Sequence, residues 1–131
     1  AALYWKINQN GVISKVAGLS DNKIKQLKKQ GKPVPVDGLA EQASFWSHKT
    51  LAVSPDGNVI YGGNGDEHVI RRIKEGRVTS LFKEGWKTER SERGSGWFLG
   101  GPLFVDQEGR IIILGNNPPQ FLRFRLLIPE K

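Results

Sequence analysis

The chain has 131 residues, 20 Lys and Arg against 13 Asp and Glu, a net charge of +7, 16 Gly, and neither Cys nor Met. That size fits one ordinary domain, and the missing cysteines exclude disulfide scaffolds, thiol catalysis and Fe–S clusters. No apolar run approaches the roughly 20 residues of a membrane helix, and four Trp with six Phe are too many anchors for a disordered chain.

In chain order, Tyr4-Trp5-Lys6-Ile7 and Val12-Ile13-Ser14-Lys15-Val16 flank Asn8-Gln9-Asn10-Gly11 and read as two short strands joined by a turn. An insertion over 18–44 follows. It predicts a short helix, with Ser20 capping Asp21–Gln30, Ile24 and Leu27 on one face, and Gly31 after its end. The same stretch holds the densest basic patch, Lys23, Lys25, Lys28 and Lys29, with Lys32 just beyond.

Residues 45–82 predict four strands, named A to D: Thr50–Ser54, Val59–Gly62, Val69–Ile73 and Val78–Phe82. Ser54-Pro55-Asp56-Gly57 sets φ with its Pro and takes φ > 0 at its Gly, so it turns A into B. Lys74-Glu75-Gly76 does the same between C and D. Strand A is mostly apolar and is expected to be buried on both faces, whereas C carries Arg71 and Arg72 and is expected to reach solvent. A second insertion, 83–96, leads to 97–131, which supplies A, B and C again and ends on a C strand near Phe121–Leu126, with no D.

The two longer segments are copies. Leu51-Ala-Val-Ser-Pro-Asp-Gly57 aligns with Leu103-Phe-Val-Asp-Gln-Glu-Gly109, 52 positions on (103 − 51), and the match continues without a gap from 45–73 to 97–125. On that match Val53, Ile60 and Ile70 are expected to coincide with Val105, Ile112 and Leu122, all buried between sheets. The first 17 residues resemble the end of the same unit.

A unit of about 50 residues with four antiparallel strands is the mark of a propeller blade, so the expected class is all-β with antiparallel four-stranded blades. Asp37–Phe45, Leu51–Tyr61, His68-Val-Ile-Arg-Arg-Ile73 and Gly76–Leu81 resemble the NHL repeat family. That resemblance implies a β-propeller. The chain would contribute about two and a half blades: the end of one in 1–17, a complete one in 45–82, and a third in 97–131 lacking its last strand. Propellers usually close with four to eight blades, so the ring is incomplete. Further blades or a protein partner are therefore expected beside the last strand, from this chain, a second copy or another chain. The first residue, Ala1, suggests a processed chain or a fragment.

In such a fold the D–A and B–C loops share the ligand face, which points to Trp86 as a stacking residue and His48 as a ligand near the channel. Asn64, Asp66 and His68 belong to one B–C loop, and Asn116 and Asn117 to the next. Asp66-Glu67-His68 has metal-binding chemistry, but adjacent turn residues seldom converge on one ion, so no metal is assigned. No nucleophile elbow, Walker loop or dinucleotide fingerprint is present, and no catalytic residue or cofactor is assigned. The expected function is a non-catalytic binding or interaction module. One alternative is single-stranded RNA binding, through Lys23, Lys25, Lys28, Lys29, Lys87, Arg90 and Arg93 with Trp86. Another, implied by the resemblance, is part of a metal-dependent propeller lyase or lactonase. The compartment is left open, with an extracytoplasmic one slightly favoured.

Overall fold

A computed structural model describes residues 1–45, 50–64, 69–81, 103–116 and 119–124. The fold is all-β, with one short α-helix among the described residues. β1 (Tyr4–Ile7) and β2 (Ile13–Ala17) form a two-stranded sheet, followed by α1 (Asp21–Lys29) and β3 (Gly38–Leu39). β4 (Thr50–Val53), β5 (Val59–Asn64), β6 (Val69–Lys74) and β7 (Arg77–Leu81) make an antiparallel meander, and β3 extends it outside β7 in the order β3-β7-β6-β5-β4. β8 (Leu103–Val105), β9 (Ile111–Asn116) and β10 (Pro119–Phe124) form the third sheet.

The local signals account for these elements. The Ser20 hydroxyl accepts the Lys23 amide at 3.3 Å, which caps α1, and Gly31 leaves the helix at φ 68°. Between β6 and β7, Glu75 and Gly76 both have positive φ (51° and 74°), the geometry of a two-residue hairpin whose twist matches the flanking strands.

The central sheet is covered on both faces. Toward the third sheet, Ala52, Tyr61, Ile70 and Leu81 pack with Leu103 and Ile111. On the other face Ile73 and Val78 pack with Ala17, Ala40, Ala43 and Phe45, with Tyr4 and Val16 partly buried against them. Alternation along each strand supplies both sets, and each fully buried Ile or Leu contributes about 1.5–3 kcal/mol. β4 and β8 lie side by side.

Three expectations are corrected. Strand A is not buried on both faces: Ala52 is buried, but Leu51 and Val53 are 56% and 48% exposed. Their side of β4 faces away from the third sheet, and the first sheet reaches the central one through Tyr4, Val16 and Ala17, packed against Ile73 and Val78 farther out. Arg71 does not reach solvent, being 2% exposed. The insertion 18–44 does not gather only with the B–C loops. Its β3 pairs with β7, and the Ala40 amide donates to Gly76 O at 2.9 Å, at the C–D turn. Asp37 accepts the Ser80 amide (2.9 Å) and hydroxyl (2.8 Å). An open outer edge of β7 would leave amides unpaired, and this segment covers it.

The repeat also slips by one residue. Val53 stands opposite Ile60, but Val105 stands opposite Ile111. The turns match through their glycines, Gly57 and Gly109 each donating to the first turn residue (Ser54 O and Asp106 O), after which the third sheet is one residue shorter. From there Ile60 corresponds to Ile111 and Ile70 to Phe121, which stands opposite Leu114 as Ile70 does opposite Gly63. Because side chains alternate, the slip reverses the inward face, and Ile111 rather than Ile112 is buried.

Candidate functional site

A cleft of about 1050 Å3 opens between the central and third sheets at the end carrying the A–B and C–D turns. Val59, Tyr61 and Val105 form its apolar wall and continue into the core beneath. Arg72 and Lys74, two apart on β6 and so on one face, bring positive charge, with Arg72 opposite Tyr61 on β5 and Thr79 on β7. Asp56, Glu75 and Glu108 stand on the turns around it.

The turns hold their carboxylates firmly. Asp56 accepts the Ser54 hydroxyl at 2.6 Å and the Asn58 amide at 3.0 Å, and the Ser54 oxygen in turn accepts the Val59 amide at 3.0 Å. The Ser54 hydroxyl first, then the Asn58 amide, hold the Asp56 carboxyl below its ordinary pKa. In the third sheet Asp106 takes the place of Ser54 and accepts the amides of Glu108 (2.9 Å) and Arg110 (2.8 Å). Arg110 Nε donates to its other oxygen at 2.6 Å, and Arg110 Nη2 lies 3.3 Å from Glu108. Partial burial raises the Asp106 pKa, but the Arg110 amide and guanidinium with the Glu108 amide outweigh it, and the net shift is downward.

Only some of the residues singled out in the sequence fall within the described structure. Lys23, Lys25, Lys28 and Lys29 are exposed along α1. Asn64 ends β5 and Asn116 ends β9, at the opposite end of the sheets from the cleft. His48, Asp66, His68, Trp86, Lys87, Arg90, Arg93 and Asn117 lie outside the described residues. Among the described residues no group of three or more His, Cys, Asp or Glu is placed to hold a metal. The cleft itself was missed in the sequence. The available signal was Arg71-Arg72: adjacent residues on a strand face opposite sides, so two arginines there cannot share one environment.

No protein-family model and no curated protein matches this chain. A solved structure, a structural genomics protein of unknown function from Bacteroides thetaiotaomicron VPI-5482, is similar in fold with a TM-score of 0.53 at 17% identity. The likeness covers 92% of this chain and 29% of that one, so the chain spans less than a third of its length.

Proposed function

We propose that the chain is a non-catalytic binding module of the NHL-like propeller kind, whose terminal sheets dock further sheets head to tail. The observation that carries this is the apolar surface left at both ends. Trp5, Ile7 and Ile13 lie together on the first sheet, Ile7 opposite Ile13, and each is more than half exposed. At the other end Phe104, opposite Ile112, is also more than half exposed, because Leu103 and Val105 alternate with it to face the core.

The four-stranded meander, the neighbouring inner strands β4 and β8, and a central sheet packed on both sides support the same reading. Within the chain, the third sheet's Leu103 side covers the central sheet's Ala52 side. A second sheet stack fits in that sense, its Phe104 side against the Trp5 side of the first. The much longer chain of similar fold has room for more such sheets. Among the described residues, no comparable observation favours the RNA-binding or lyase alternatives.

Such an interface is heterologous, which makes it testable by mixing. The expected result is that the 131-residue chain self-associates in analytical ultracentrifugation, and that Trp5→Glu and Phe104→Glu each suppress this alone. Mixed, the two variants should form a dimer and nothing larger, since one intact pair of faces remains. A chain monomeric at high concentration, or variants that do not pair on mixing, would overturn the proposal.

A further inference from the structure

Adjacent residues Arg71 and Arg72 face opposite sides of the central sheet, and their surroundings differ sharply. Arg71 donates through Nη1 to Ser44 O at 2.6 Å and through Nη2 to Val36 O, lies 3.7 Å from Asp37, and covers the Phe45 ring. Arg72 lines the cleft, its Nε is one of two buried guanidinium nitrogens without a partner among the described residues, and its side chain makes no hydrogen bond or ion pair with any described residue. A buried donor left unpaired is costly, more so when charged, and such groups in native proteins call for a partner.

We propose that the cleft between the central and third sheets binds an organic carboxylate, with the Arg72 guanidinium as its counterion. A guanidinium presents a planar fork of donors that fits the two oxygens of a carboxylate. Two of the cleft's three acids are engaged elsewhere, Asp56 with Ser54 and Asn58, and Glu108 with Arg110, while Glu75 stands on the C–D turn at its rim. Their negative charge still selects, since with Asp56, Glu75 and Glu108 nearby a doubly charged anion is repelled more than a singly charged one. Val59, Tyr61 and Val105 give an apolar wall for a short aliphatic body, and Asn58 and Gln107 offer amides. The ligand chemistry is therefore a monocarboxylate beside a small apolar group and an amide, found in an acylated amino acid or at a peptide C-terminus. This site goes beyond the docking of sheets and does not depend on it.

The arginine Nε–H resonances provide the test, in titrations of the full chain carrying Trp5→Glu to keep it monomeric. N-acetylvaline and acetyl-Ala-Ala-Val should shift the Arg72 Nε–H saturably, and the tighter of the two identifies the source as free acid or peptide terminus. N-acetylvaline amide, and inorganic phosphate at matched ionic strength, should leave it in place. The Arg71 Nε–H, on the other face, should stay unchanged throughout and serves as the control for folding. Arg72→Gln should weaken N-acetylvaline binding roughly tenfold or more, the loss of a charge-assisted pair, followed through the Val105 amide. No saturable shift, an equal response to the amide, or a response to phosphate alone would overturn the proposal, whether or not the chain self-associates.

Discussion

The Arg71 guanidinium carbon sits 4.2 Å from the centroid of the Phe45 ring, and the Tyr4 ring makes a T-shaped contact with the same Phe45, centroids 4.9 Å apart. This stack ties the first sheet, the 33–45 segment and the central sheet together. Arg71→Ala removes the cation over the ring and strips two carbonyls, Ser44 O and Val36 O, of their donor. The expected loss is about 3 kcal/mol in urea unfolding, and Arg71→Lys should recover less than half of it, because an ammonium cannot reproduce the planar fork.

The slipped register makes a second, sharper expectation. Ile111 is buried with no exposed surface, while Ile112 beside it is partly exposed. Ile111→Ala should therefore cost about 3 kcal/mol and Ile112→Ala about 1 kcal/mol, measured as shifts in urea midpoint at constant slope. A gapless repeat would give the reverse order.

Acid should loosen both A–B turns. Asp56 and Asp106 have carboxyls held below the ordinary Asp value, so their stabilising contribution is complete above about pH 4 and is lost as pH falls through their folded-state pKa values. Carboxyl-carbon NMR titrations should show midpoints below the ordinary Asp value at both residues. Ser54→Ala should move the Asp56 midpoint upward and leave that of Asp106 in place.

Gly18 adopts φ +116°, and a Cβ there would meet Leu3 Cδ2 at 2.8 Å and Ala2 O at 3.0 Å. Gly18→Ala is expected to lower stability by about 2–3 kcal/mol and weaken docking of the first sheet. Gly31→Ala, at φ +68° with open space around it, should cost only about 1 kcal/mol. Thermal unfolding of the two variants side by side distinguishes them.

The turns, the capped helix and nine strands, β1, β2 and β4 to β10, are local features and could be read along the chain. Ser20 caps α1, Gly57 and Gly109 close the A–B turns, and apolar alternation marks the strands between them. Each depends on residues within a few positions of one another. The tertiary structure decided what such patterns leave open. Two segments can match residue for residue while their ladders differ by one, because register is set by pairing across the turn, and a shift of one residue exchanges the faces. Burial of a charge is likewise a property of distant partners. Arg71 and Arg72 are identical in sequence terms, yet only the arrival of Val36, Ser44 and Phe45 from the preceding segment encloses the first, while the gap between two sheets leaves the second facing a cleft.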